Sequence, residues 1–212
     1  MKRGDVHSCP SCNTLHTVTL IESSLIVCKS CGTYIHEATG DENTPEQSKM
    51  PDDWTFLKIG STCELPQQTF HLVGRCRLQL RNDYKNFWCA EYGRGKCLWI
   101  AESFGSFSIF LSAWEKFAGD PAQLRAGASV KMSNELKLIG EYVEKCEGIS
   151  FAGEIGAWNF FTPGFFVVQA SATTKTSFFF LEPKKNVSFL SGEKILAERL
   201  NFKNTIEWNE WK

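Results

Sequence analysis

The chain has little of what enzymes commonly use to transfer protons or to bind phosphate. Only four of its 212 residues are histidines, and His71 is the one that lies outside residues 1–36. The sequence also has no P-loop, no nucleophile-elbow motif, no dinucleotide-binding fingerprint and no two-histidine metalloprotease motif. These absences argue against catalysis, and we expect no catalytic residues in this chain.

Long apolar runs and a strong charge bias are missing as well. The apolar stretches, such as residues 160–170, are too short to cross a bilayer, and the N-terminal MKRGDVHSC lacks the apolar segment of a signal peptide. The formal net charge of −1 does not indicate a globally basic nucleic-acid binder. Nine cysteines without a disulfide-framework spacing indicate reduced thiols, and together these features predict a cytoplasmic protein.

Two paired cysteine motifs stand near the N-terminus. Cys9-Pro-Ser-Cys12 and Cys28-Lys-Ser-Cys31 are separated by fifteen residues. Each C-x-x-C pair turns tightly enough for both thiolates to bind one ion, and two such pairs close a tetrahedron around a structural zinc ion. We therefore predict a zinc ribbon over residues 1–36, with one Zn²⁺ and no open position for a substrate.

Two alternatives to this zinc site remain open. A nearby histidine, His7, His16 or His36, could replace a thiolate, and the C-x-x-C pairs could act as redox dithiols. The paired spacing favours zinc over both. Between the two motifs, residues 15–27 favour a short β-hairpin whose polar tip is Glu22-Ser23-Ser24.

The composition changes abruptly after the ribbon. Residues 37–53 contain six acidic residues and one lysine, and residues 37–49 contain no large apolar side chain. Such a segment cannot bury enough surface to fold, so it predicts an acidic flexible linker.

The remainder of the chain shows an internal repeat. Leu57-Lys-Ile-Gly60 is followed by Leu72-Val-Gly74, and Leu124-Arg-Ala-Gly127 is followed by Leu138-Ile-Gly140. Alternating strand-like segments and turns follow each copy in the same order. We predict a mainly β fold with two similar small β-meander or barrel-like modules, at residues 54–118 and 119–190. Residues 191–212 are predicted to form a short helix, starting at Ser191, and a tryptophan-containing tail.

Two sets of residues are candidates for binding a partner. In residues 72–81 the apolar side chains alternate with arginines, so we expect Leu72, Cys76, Leu78 and Leu80 on the core face and the arginines in water. The second set is the two tryptophans of the tail, which we expect to fold back onto the body; docking to a partner is the alternative. The candidate residues are Arg75, Arg77, Arg81, Arg94, Lys96, Trp208 and Trp211.

Residues 54–200 resemble a bacterial family known as domain of unknown function 4178. The similarity lies in Leu72-Val-Gly74, in Cys97-Leu-Trp-Ile-Ala-Glu102, in Gly153-Glu-Ile-Gly-Ala-Trp158 and in the segments 178–182 and 190–193. This family has no established activity. The resemblance implies a small β-rich bacterial protein, sometimes with a zinc ribbon, in a stress-related or membrane-associated setting.

We therefore expect a non-catalytic adaptor or scaffold that binds another protein. The alternative is nucleic-acid binding through the basic stripe, because residues 71–100 contain six Lys/Arg and two acidic residues. Arginines that form a solvated face or pair with the acidic linker explain the stripe better than nucleic-acid binding does. An enzyme is the third and least favoured class. Cys89 and Cys97, which we expect on opposed strands, are predicted to be buried small hydrophobic residues and not a reactive pair.

Overall fold

The computed structural model describes residues 1–36, 49–51, 54–66, 68–103, 105–111, 114–132, 136–182 and 187–207. The predicted linker lies almost entirely outside these residues. Within them the chain is mainly β, as the sequence predicts. The strands, in chain order, are β1 Val6–Ser8, β2 Leu15–Thr17, β3 Leu25–Val27, β4 Tyr34–Ile35, β5 Thr62–Leu65, β6 Gln68–Leu80, β7 Tyr84–Tyr92, β8 Lys96–Ser103, β9 Ser106–Phe110, β10 Glu115–Lys116, β11 Ser129–Lys131, β12 Lys137–Ile155, β13 Phe166–Ser171, β14 Lys175–Leu181 and β15 Ser188–Ile195.

Eight of these strands close into an antiparallel barrel. Strands β6 to β9 form a first four-stranded meander, and β12 to β15 form a second. The first strands of the two meanders pair with each other over residues 74–80 and 146–153, and the last strands pair over residues 107–109 and 193–195. The two predicted modules are thus two halves of one barrel, which leaves no free edge between them.

The turns that precede the two meanders are built alike. Gly60 and Gly127 have positive φ angles of 91° and 74°, and their N–H groups donate to the carbonyl oxygens of Leu72 and Gly140 at 2.8 and 2.9 Å. A β-bulge directly follows each of these acceptor residues. Leu72 is therefore equivalent to Gly140, whereas the sequence repeat aligned Gly74 with Gly140. The structural alignment of the two copies therefore differs from the sequence alignment by two residues. Side chains in a strand point to the same face at every second residue, so equivalent side chains still face the same side of the sheet.

The barrel interior holds the main core. It is rich in aromatic rings from both meanders, and Trp99 and Trp158 lie 4.8 Å apart between ring centroids. A second apolar cluster covers the outside of the first meander under residues 56–57 and 195–202, and a third covers the outside of the second meander under residues 117–132. Each meander is therefore buried on both faces over part of its length, which explains its long apolar runs.

The ribbon is docked onto the barrel. Strand β3 pairs with the end of β12, where Glu154 lies opposite Ile26. The buried carboxylate of Glu154 accepts hydrogen bonds from the backbone N–H groups of Thr19, at 3.0 and 3.1 Å, and Leu20, at 2.9 Å. Leu20, Leu25 and Val27 enter the barrel core. This docking explains why residues 15–27 do not form the predicted hairpin: β2 pairs with β1, β3 pairs with β4 and β12, and the expected polar tip contacts the barrel.

The C-terminal helix is shorter than predicted. Residues 191–195 belong to β15, because they pair with β14 and β9, and the helix α1 spans only Ala197–Leu200. A 3₁₀ turn spans Pro121–Gln123. In the part of the chain that the structure describes, no helix has both the length and the apolar character needed to cross a membrane.

Candidate metal centre

Four cysteine sulfurs meet at one end of the ribbon. The Sγ atoms of Cys9, Cys12, Cys28 and Cys31 all lie within 4.8 Å of one another. The closest approaches run between the two C-x-x-C motifs, with 3.5 Å from Cys9 to Cys31 and 3.5 Å from Cys12 to Cys28. The spacing predicted from the sequence therefore brings all four thiols together, close enough to hold a metal ion.

Two equivalent turns position these cysteines. The N–H of Cys9 donates to Thr14 O and the N–H of Cys28 donates to Thr33 O, both at 2.9 Å. In each turn the residue after the second cysteine adopts a positive φ, 57° at Asn13 and 75° at Gly32. Glycine and asparagine tolerate this left-handed conformation better than other residues, so the local sequence specifies both turns.

A ring of hydroxyl groups surrounds the sulfurs, and our sequence reasoning missed it. The Oγ1 atom of Thr14 lies 3.2 Å from Cys12 Sγ and donates to Ser30 Oγ at 3.1 Å. In the other turn, Thr33 Oγ1 lies 3.2 Å from Cys31 Sγ and donates to Ser11 Oγ at 2.9 Å. The signal was available, because the pattern C-x-S-C-x-T occurs twice, at residues 9–14 and 28–33. Such outer hydrogen bonds orient metal ligands.

His16 stands beside the cluster and not within it. Its Nε2 atom lies 3.3 Å from Cys28 Sγ, and burial lowers the pKa of the imidazole. Hydrogen bonding to Thr14 lowers the pKa of the Cys12 thiol to about 6. In the described residues, the group that could hold a metal consists of the four cysteines alone.

The arrangement fits a tetrahedral ion with four sulfur ligands. Metal–sulfur bonds of about 2.3 Å place the sulfurs of a regular tetrahedron about 3.8 Å apart. The observed separations of 3.5 Å for two pairs, with every pair within 4.8 Å, need little adjustment to reach that value. Four thiols complete the coordination shell, which leaves no site for a bound water or substrate.

The predicted basic stripe is divided by the structure. Arg81, Arg94 and Lys96 are exposed, but Arg75 and Arg77 are only 7% and 6% exposed. The bulge after Leu72 reverses the alternation, so Leu72 faces outward into the second apolar cluster while Cys76 faces the barrel interior. The expectation that Arg75 and Arg77 lie in water was wrong, because Pro51 and residues 55–57 cover this part of the outer face.

The covered arginines belong to a buried polar network. Arg75 donates through Nε and Nη2 to Asn86 Oδ1, at 3.1 and 2.8 Å, and its guanidinium lies 5.0 Å from the Trp88 ring centroid. The carboxylate of Glu102 accepts from Trp88 Nε1 at 2.8 Å and from the Thr55 hydroxyl at 2.7 and 2.9 Å. Burial raises the pKa of Glu102, and these hydrogen bonds oppose the rise. The network joins the barrel to the segment that covers it.

The remaining candidates, Trp208 and Trp211, lie outside the described residues, so their role in binding stays a prediction. Fold and site together define a ribbon-type cluster of four cysteines, close enough to hold a metal ion, that is joined to an eight-stranded antiparallel barrel. No family model, curated protein or solved structure matches the chain.

Proposed function

We propose that this chain is a non-catalytic zinc protein that binds a partner protein through the outer face of its second meander. The proposal is supported by a difference between the two meanders among the described residues. Pro51 and residues 55–57 cover part of the first meander, whereas Val143 and Phe166, at equivalent positions of the second meander, are exposed and apolar. The resemblance to the domain of unknown function 4178 family adds a stress-related or membrane-associated setting to this proposal.

The chemistry of the ligand set supports zinc as the metal. Sulfur ligands in a tetrahedron select zinc or iron among the common metals, and a closed site with four protein ligands is typical of structural zinc. The ion would hold the two cysteine turns together, and through Leu20, Leu25 and Val27 it would also hold one end of the barrel core in place.

Metal analysis tests this assignment. We expect one zinc ion per purified wild-type chain, and we expect Cys9→Ser or Cys28→Ser to lose it. Cys63→Ser is the matched control and should keep it, because Cys63 lies in the apolar cluster outside the first meander. A wild-type protein that carries iron, or that carries no metal after expression with zinc, would contradict the zinc assignment.

The exposed apolar surface is located by comparing the two meanders. Leu72 and Gly140 are equivalent, so three residues further on Arg75 is equivalent to Val143. On the neighbouring strands, the pairing registers make Asn86 equivalent to Phe166. Asn86 is 1% exposed, whereas Val143 and Phe166 are 39% and 42% exposed.

Val143 and Phe166 are diagonal neighbours on adjacent strands, and Leu181 lies directly opposite Phe166. Three adjoining apolar side chains on a rigid sheet, next to a buried cluster, form a surface suited to a partner protein.

Affinity capture with matched variants tests this surface. The full chain should retain a partner from a lysate of its source cells, and the double variant Val143→Thr/Phe166→Thr should lose it. Threonine keeps β propensity and removes the apolar contact. The control Val6→Thr/Leu15→Thr changes two side chains of the ribbon hairpin that are 59% and 65% exposed, and it should still retain the partner.

Two outcomes would contradict the proposal. Loss of the partner only with the ribbon variant would place the interface on the ribbon. Loss of all captured material after nuclease treatment would favour the nucleic-acid alternative, which can now rely only on the exposed residues Arg81, Arg94 and Lys96 of the basic stripe.

A further inference from the structure

Two cysteines outside the metal centre lie side by side where the ribbon meets the barrel. Cys89 is on β7 and Cys97 is on β8, and they are diagonal neighbours, because Cys89 pairs with Trp99 and Cys97 pairs with Glu91. Cys89 is fully buried and Cys97 is half-buried at the start of its strand. Diagonal positions on adjacent strands are within reach of each other's side chains.

A glycine makes room for both sulfurs. A Cβ atom placed on Gly156 would lie 2.5 Å from Cys97 Sγ and 3.4 Å from Cys89 Sγ. Any larger residue at this position would therefore displace Cys97. The same Cβ would lie 3.5 Å from the Leu20 side chain of the ribbon, so the thiol pair sits at the junction of ribbon and barrel.

The environment makes the two thiols chemically unequal. Hydrogen bonding from the Cys89 thiol, aided by the backbone N–H of Ala157, lowers the pKa of Cys97 against the opposing effect of burial. Burial raises the pKa of Cys89 well above its ordinary value. The half-buried Cys97 is therefore the more acidic thiol of the pair, and the buried Cys89 is the less acidic one. This is the division of roles between an attacking and a resolving thiol.

We infer that Cys97 and Cys89 are a redox modification site that reacts with a small peroxide and closes to a disulfide. The Cys97 thiolate attacks one oxygen of hydrogen peroxide, the O–O bond breaks, and Cys97 becomes a sulfenic acid while hydroxide leaves. The Cys89 thiol gives its proton to that hydroxide and its sulfur attacks Cys97 Sγ, which breaks the S–O bond and releases a second hydroxide. The proton that Cys97 released to solvent when its thiolate formed returns to the second hydroxide. Two thiols and one peroxide therefore yield one disulfide and two waters.

Three other cysteines of the chain, Cys63, Cys76 and Cys146, serve as internal controls for the reaction with peroxide. Burial raises the pKa of Cys63 and of Cys146 to about 12, and it raises the pKa of Cys76 further above its ordinary range. These thiols remain protonated at neutral pH, and neutral thiols are poor nucleophiles. Oxidation of Cys97 can therefore be compared with oxidation of these three thiols in the same protein sample.

Peptide mapping of the full-length, zinc-loaded protein tests the inference. Trypsin cuts after Arg94 and after Lys96, so the two cysteines fall on separate peptides, residues 86–94 and 97–116. After brief treatment with hydrogen peroxide we expect these peptides to be joined by a disulfide. At that point zinc should still be bound, and Cys63, Cys76 and Cys146 should still be alkylated.

Two variants separate the roles of the thiols. Cys89→Ser keeps a hydrogen-bond donor to Cys97 but cannot form a disulfide, so it should leave Cys97 as a sulfenic acid that dimedone labels. Cys97→Ala should leave Cys89 unmodified. The inference would be overturned if Cys97 reacted no faster than Cys63, if zinc were released before Cys97 reacted, or if oxidised Cys97 never joined Cys89 in the wild type. If either variant fails to fold, the wild-type time course still decides between these outcomes, and none of them depends on a partner protein.

Discussion

The two meanders of the barrel share a strand order and differ in how their outer faces are covered. In the first meander, Arg75, Asn86 and Glu102 form a hydrogen-bonded network beneath Pro51 and residues 55–57. In the second meander the equivalent residues are Val143, Phe166 and Leu181, and the first two of these are 39% and 42% exposed. The same backbone therefore supports a polar, covered face in one copy and an apolar, open face in the other.

This difference shows that the buried polar network of the first meander depends on the segment that covers it. A charged or polar side chain can be buried only when its hydrogen bonds are satisfied, and Thr55 of the covering segment supplies two of the hydrogen bonds to Glu102. Among the described residues, no such segment covers Val143 and Phe166 of the second meander, and apolar side chains there need no hydrogen-bond partner. The first face is thus closed within the chain, whereas the second remains available to another molecule.

Replacement of Glu102 should give the largest difference between the two copies. Glu102→Ala leaves the buried donors of Trp88, Thr55 and Asn86 without an acceptor, and we expect a loss of about 3 kcal/mol in the free energy of unfolding. Leu181→Ala changes the equivalent residue of the second meander, which is half-buried, and should cost about 1 kcal/mol. Urea unfolding of both variants measures the difference. Equal losses would show that the network contributes no more than packing does.

Replacement of Arg75 should have a smaller effect. Arg75→Leu removes two hydrogen bonds to Asn86 Oδ1 and a positive charge near Glu102, and we expect a loss of about 2 kcal/mol. Val143→Leu at the equivalent, exposed position should change stability by no more than about 0.5 kcal/mol. A destabilisation by Val143→Leu as large as that by Arg75→Leu would mean that the second face is also covered in solution.

The features that the sequence predicted correctly depend on local spacing. The cysteine cluster follows from two C-x-x-C turns. The strands β7, β8 and β9 follow from alternation interrupted at Gly93–Gly95 and near Gly105. Each of these predictions needs only a few consecutive residues, because turn chemistry and side-chain alternation act over that range.

The features that were missed depend on contacts between distant segments. One bulge after Leu72 turned Leu72 to the outer face, and a bulge leaves no clear mark in the alternation of a single strand. The burial of Arg75 and Arg77 depends on a separate covering segment, in which the carbonyl oxygen of Pro51 accepts a hydrogen bond from Arg77. The docking of the ribbon relies on Glu154, which is more than 130 residues away from Thr19. Closure of the barrel likewise depends on pairing between strands that are far apart in the chain. No pattern in either segment alone reports these partners.

The pH dependence of stability provides the finest test of the difference between the two faces. Burial raises the pKa of Glu102 above the ordinary value of 4.5, so between these two values the folded protein holds a proton that the unfolded chain has released. The contribution of this group to stability is therefore present below pH 4.5 and is lost as the pH rises through the folded pKa. Glu102→Gln cannot titrate, so the free energy of unfolding of the wild type relative to this variant should fall as the pH rises from 4. Because the charge of Arg75 opposes the pKa rise, the same comparison made in the Arg75→Leu background should show the fall continuing to higher pH. Parallel pH curves for wild type and Glu102→Gln would contradict a buried, titrating carboxyl at this position.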